Sequence, residues 1–166
     1  MEWREPIKIV ADVLAHELNL SQDRIFIYND DRPLPKDDGV YIALCINSTT
    51  PFANNNRQLD VDSAYKEKIS MNYKQKIIAS VISNDNTART LAYNAVMALS
   101  SIYSIQTQEK YGCHIAKIAP VTDASFLEQT SRLTRMDIAI SIIHWSEVKK
   151  EIDYFNTGEL DTRFEA

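Results

Sequence analysis

Hydrophobic residues recur along this chain at two spacings, one helical and one alternating, and the two kinds of segment are interleaved. Near the start, Ile7, Val10, Ala11, Leu14 and Leu18 repeat at three- and four-residue intervals. That spacing predicts a helix over residues 6–18, with Pro6 in the first turn, where its missing N–H costs little. The short run Ile25-Phe26-Ile27-Tyr28 reads as a strand, and the turn-rich stretch 29–35 stops it. After Gly39, residues 40–46 are nearly continuous apolar sequence, as in a strand covered on both faces. Residues 47–64 turn to Ser, Thr, Asn, Pro and Asp around Asn54-Asn55-Asn56 and read as a long exposed loop.

The clearest alternation begins at Ile69. Ile69, Met71, Tyr73, Ile77, Ala79 and Val81 share one parity, while Ser70, Asn72, Lys74 and Lys76 share the other. A strand over 69–82 is longer than the usual five or six residues, so its polar-faced first half is expected to project from the sheet. Candidate caps at 83–86 precede a helix in which Ala88, Leu91, Ala92, Ala95, Val96, Leu99, Ile102 and Tyr103 form one stripe. A polar segment, 106–110, leads to a strand at 114–119 that Pro120 ends. A linker over 121–131 precedes a second long strand, where Met136, Ile138, Ile140 and Ile142 alternate with Arg135, Asp137, Ala139 and Ser141. Residues 147–151 read as a polar turn, 152–155 as a returning strand and 161–166 as a charged, frayed tail. The predicted order is one helix, two strands, a loop, a strand, a helix and three strands. The fold class is α+β: a mainly antiparallel sheet with two packing helices and a long exposed loop, in one domain over 1–160.

Composition narrows the chemistry. At 166 residues the chain fits one domain, and 45% hydrophobic with 25% charged residues is ordinary for a globular protein. A net charge of −5 lacks the basic excess by which proteins grip nucleic-acid phosphates. No apolar run approaches the roughly 20 residues that cross a bilayer, so the reading is a soluble, unprocessed protein with no membrane role. Cys45 and Cys113 each lie in an apolar run and read as buried free thiols. Three glycines, Gly39, Gly112 and Gly158, are too few and too scattered for a phosphate-cradling loop or a dinucleotide fingerprint. His16, His114 and His144 are dispersed without metal-ligand spacing. No cofactor is expected.

Three constellations remain. Asp137 with Glu147, Val148 and Lys149 superficially resembles the acidic pair and lysine of metal-dependent nucleases. On one strand, however, the two carboxylates would stand on the order of 30 Å apart, too far to share a metal. Asp30-Asp31 and Asp37-Asp38 flank a proline-rich turn and fit turn propensity better than a cation site. Lys66, Lys68, Lys74 and Lys76 with Tyr65 and Tyr73 form the one basic-aromatic cluster, a surface for a nucleic-acid backbone or an acidic protein rim, or a charged face that blocks edge aggregation.

The succession of an N-terminal helix, a strand with Tyr41-Ile42, a long loop, the strand Gln75-Lys76-Ile77-Ile78-Ala79-Ser80-Val81-Ile82, a helix with Ala88, Ala92, Ala95 and Leu99, then Ile118-Ala119-Pro120 and the segment from Leu133 to Ile142, resembles the neck or tail-terminator proteins of tailed bacteriophages. The likeness spans about residues 7 to 160 and rests on pattern and order. Where many relatives carry Glu-Arg-Arg near the start of the late strand, this chain reads Ser131-Arg132-Leu133-Thr134-Arg135. The resemblance implies a non-enzymatic virion protein, assembled in the host cytoplasm into a ring, usually a hexamer. Such a ring caps the tail tube, meets the head connector and lets DNA pass through its lumen without specific binding. It also implies interface roles for Phe52, Tyr73, Lys74, Lys76, Phe126, Leu127, Tyr154 and Phe155. The alternatives are the nuclease above and a small protein-binding adaptor whose Asn-rich loop holds a partner.

Overall fold

The computed structural model describes residues 4–28, 37–52, 56–60, 66–128 and 131–151. The predicted returning strand at 152–155 and the tail lie outside them. Pro6–Glu17 forms α1, with Pro6 at its start and Ile7, Ile9, Val10, Val13 and Leu14 buried along its inner face. A short 3-10 turn leads into β1 (Ile25–Ile27). The remaining strands are β2 (Tyr41–Pro51), β3 (Asn56–Asp60), β4 (Lys66–Ser83), β5 (Cys113–Ile118), β6 (Thr122–Asp123), β7 (Phe126–Glu128) and β8 (Ser131–Glu151). Helices α2 (Thr87–Leu99) and α3 (Ile102–Tyr111) connect β4 to β5.

The fold is α+β. The sheet runs β1-β2-β4-β8-β5, with β3 pairing β4 and β6 and β7 pairing β8. All pairings are antiparallel except β1 with β2. Its axis is the β4–β8 ribbon, paired without interruption from Lys66 opposite Glu151 to Ser83 opposite Thr134. At about 3.3 Å per residue these strands extend roughly 60 and 70 Å, several times the usual strand length. Register shifts mark β2 between Ile46 and Ser48 and β5 between Ile115 and Lys117.

All three helices lie on one face of the sheet. There α2 meets β4 and β8, α3 meets β5, and α1 bridges α2, α3, β1 and β2. The core joins them to Ile42, Leu44, Ile77, Ala79, Val81, Met136, Ile138, Ile140 and Ile142. Over residues 136–142 of β8 the alternation read from the sequence is the alternation of burial. In β4 it holds at Ile77, Ala79 and Val81 but not earlier, where Ile69, Met71 and Tyr73 are half-buried and Ser70 of the other parity is buried. Ala88, Ala92 and Ala95 are fully buried, small enough for α2 to lie close on the strands beneath it.

Five expectations need correction. The stretch read as a loop from residue 47 continues β2 to Pro51 and then supplies β3. The single helix is two, because Ser100 and Ser101 turn the chain between α2 and α3. Ser101 Oγ accepts the Ser104 N–H at 3.1 Å as the new cap, and Ile102, placed in the buried stripe, is instead 75% exposed. The polar segment 106–110 belongs to α3. Its polarity is used inside: Ser104 Oγ donates to the Leu99 carbonyl at 2.8 Å, Gln108 Nε2 donates to Ser104 Oγ at 3.0 Å, and the Ile115 N–H donates to Gln108 Oε1 at 2.8 Å. Gly112 ends α3 at φ 64°, the left-handed conformation that glycine adopts without cost. The linker at 121–131 contains β6 and β7, and the polar turn at 147–151 is the end of β8.

Candidate functional site

Beyond Gln75 and Ile142 the helices end and the sheet continues alone. This arm comprises the first half of β4, the last third of β8, β3 and the end of β2. Its sequence mixes Ile69, Met71 and Tyr73 on one parity of β4 with polar residues on the other, and beyond His144 β8 is polar apart from Trp145 and Val148. Its pairing rests on backbone hydrogen bonds between neighbours.

Where the arm leaves the helical layer, three residues stand in one row across the sheet: Tyr73 on β4, His144 on β8 and Cys113 on β5. Tyr73 and His144 stack with ring centroids 5.7 Å apart and planes 21° from parallel. Burial holds the His144 pKa below its ordinary 6.5, so the ring is neutral at physiological pH, and neither of its buried nitrogens has a hydrogen-bond partner. Burial also pushes the Cys113 thiol up to about 11, so it is protonated and a poor nucleophile. Both cysteines are free; Cys113 is buried as expected, whereas Cys45 is only half-buried.

The candidate interface residues divide between regions. Phe52 follows β2 at 47% exposure, its N–H donating to the Asn72 carbonyl at 2.7 Å, one position from Tyr73. Trp145 lies opposite Asn72 on β8, so Phe52 and Trp145 flank one residue. Lys74 and Lys76 project on the face away from the helices, Lys76 exposed and Lys74 half-buried. Tyr73 has the other parity, so the basic-aromatic cluster is split across the sheet. Lys68 is tied to Glu147 at 2.8 Å, and Tyr65 is outside the described residues. Phe126 and Leu127 sit in β7, in register with Leu133 and Arg132, at the opposite end of β8 from the arm. Tyr154 and Phe155 lie outside the described residues.

The acidic candidates are engaged separately. Asp137 accepts from Arg135 Nε at 2.9 Å and Nη2 at 3.1 Å, while Arg135 also donates to Ser80 Oγ at 3.2 Å. The hydrogen bonds to Asp137 raise the Arg135 pKa above its ordinary value. Glu147 lies ten positions along the same strand with Lys68, so Asp137, Glu147 and Lys149 are not brought together. Asp37 forms a bidentate pair with Arg24, and Asp38 accepts from Asn84 Nδ2 at 2.8 Å, tying the chain before β2 to its surroundings. Asp30 and Asp31 lie outside the described residues. Among the described residues no group of three or more His, Cys, Asp or Glu side chains could hold a metal ion. Nor is any helix among them long and apolar enough to cross a membrane.

Sequence reasoning missed the exposed apolar residues Trp145 and Val148 on the arm, Ile46 on β2 opposite Ile77, and Tyr93, Met97, Ile102 and Ile105 on α2 and α3. A shallow groove of about 430 Å³ runs beside the latter, lined among others by Leu99, Ile105, Glu109, Cys113 and Ile118. Trp145 and Val148 were legible in principle. An aromatic and a β-branched residue within Trp145-Ser146-Glu147-Val148-Lys149 fit a strand better than a turn. The chain matches no known family model and no curated protein sequence.

Proposed function

We propose that this chain is a structural assembly protein that builds by contacting copies of itself and neighbouring subunits. In this reading it forms a ring, of hexameric order, at the neck or tail terminus of a tailed phage, capping the tail tube and meeting the head connector. The observation that carries the reading is the bare arm. A β4–β8 ribbon runs well past its helical cover, with Trp145 and Val148 on it and Phe52 beside it exposed to solvent. A lone monomer gains nothing from that arrangement, whereas an assembly covers such strands with a neighbour. The acidic balance suits a lumen through which DNA must slide rather than stick.

Mass photometry and negative-stain microscopy of the purified chain, alone and with tail-tube subunits, test it. A ring of defined subunit number is expected. A single subunit at every concentration, tail tube present or not, overturns the reading.

A further inference from the structure

β5 covers the outer side of β8 only at residues 140–144. From Trp145 to Glu151 that edge has no strand beside it among the described residues, while the inner side is fully paired with β4. Among the described residues nothing pairs with this edge over seven residues, about 23 Å, so its outward backbone donors and acceptors have no strand partner there. Its sequence is Trp-Ser-Glu-Val-Lys-Lys-Glu, with Trp145 41% and Val148 52% exposed.

The charges on this edge match themselves. Within the subunit, Lys149 lies directly opposite Lys68 on β4, a like-charge pair. Lys68 is satisfied diagonally by Glu147, and no ion pair involves Lys149 among the described residues. A second copy of the same edge, laid antiparallel about a two-fold axis through Val148, sets Glu147 of each subunit opposite Lys149 of the other. Only pairings that keep the parity of the two faces continue the sheet. Moving the axis one residue either way at the same site centres the pairing on Glu147 or on Lys149, opposing each to its own copy. Of these three registers, the Val148-centred one is the one in which Glu147 and Lys149 meet as unlike charges.

We propose that the β8 edge over residues 145–151 pairs with the same edge of a second copy of this chain, antiparallel about Val148, joining the two sheets into one. The contact is isologous and closes at two. It therefore goes beyond the ring, whose lateral joints are head-to-tail. Added to a ring, it sets two rings back to back. A uniformly charged edge would repel all strands; an unlike pair two residues apart instead selects a partner carrying its own reverse. Edge pairing of this size belongs to the weak, transient class, so it shows at high protein concentration or when repeated around a ring.

Two charge reversals test it. Lys149→Glu places a carboxylate opposite Lys68 inside the subunit, which suits the fold, yet opposite Glu147 of the partner subunit. Glu147→Lys sets lysine against lysine across the same joint. In sedimentation velocity over a wide concentration range, each variant alone should associate at least about tenfold more weakly than wild type. An equimolar mixture should recover the pairing, because every contact again joins Glu to Lys. If E147K folds poorly, K149E alone decides. Wild type that never pairs, K149E that pairs like wild type, or a mixture of two folded variants no better than either alone overturns the inference. The outcomes also separate this contact from the ring. K149E that halves a double ring to a single one supports both readings, while charge-dependent pairs without any ring support this one and remove the other.

Discussion

The two halves of the β4–β8 ribbon are made of the same paired strands yet are stabilised differently. In the covered half, Ile77, Ala79, Val81, Ile138, Ile140 and Ile142 lie wholly buried beneath the helices. Among the arm's residues whose burial is described, only Ser70 is buried, and Val148 and Trp145 face water. The first half is a core in which position tolerates little change. The second is a surface in strand form, free to vary so long as its backbone stays paired. Burial, not strand propensity, separates the half that makes the fold from the half available to neighbours.

Substitutions sharpen or break that contrast. The largest effect is expected from Ile140→Ala, which opens a cavity in the core and should cost about 2–5 kcal/mol in urea unfolding. Val148→Ala on the arm should stay within about 0.5 kcal/mol, and comparable losses at both sites would abolish the distinction. Next is Ser83→Ala, at the end of β4. Ser83 Oγ accepts the Ala88 N–H at 3.0 Å and donates to the Asp85 carbonyl at 2.7 Å, so its removal strands a buried donor at the start of α2. A loss of about 1–3 kcal/mol is expected by the same measurement; no change would mean that the strand-to-helix corner is held by other bonds.

The smallest effect is a pH dependence at the boundary between the halves. Burial lowers the His144 pKa in the folded protein below 6.5, so the unfolded chain binds the proton more readily. Stability from this group is full above pH 6.5 and is lost as pH falls from there through the lower folded value. His144→Phe keeps a ring against Tyr73 and removes the titration. The difference in stability between wild type and variant should therefore be flat above neutrality and shift toward the variant on acidification. A difference that stays constant between pH 7.5 and 5 refutes this account.

The covered half was legible in the sequence because burial on one face imposes period two on β4 and β8 and period 3.6 on α1. The arm was half legible. Ile69, Met71 and Tyr73 keep the alternation, but polar residues on both parities of β8 beyond His144 look like a turn when pairing with β4 is not known. The break between α2 and α3 escaped because Leu99, Ile102 and Tyr103 continue helical spacing across it, whereas Ser100 and Ser101 signal a cap only once the chain has turned. The inward use of Ser104 and Gln108 was illegible for the same reason. Their polarity reads as exposure until a carbonyl and a strand N–H are found beside them. Of the eight expected interface positions, Phe52, Tyr73 and Lys74 lie at the start of the arm, with Phe52, Lys74 and Lys76 on the face away from the helices and Tyr73 on the other.

The register shift in β2 acts as a phase change. Before it, even-numbered residues such as Ile42 and Leu44 point toward the helices; after it, odd-numbered ones do, because one extra residue, near Asn47, has been counted out of the ladder. Phe52 thereby falls in step with Asn72 and Trp145 instead of with the stacked tyrosine and histidine. Deleting that one residue would exchange the two sides of the strand's end, turning the phenyl ring inward and Pro51 outward without altering any other letter of the sequence.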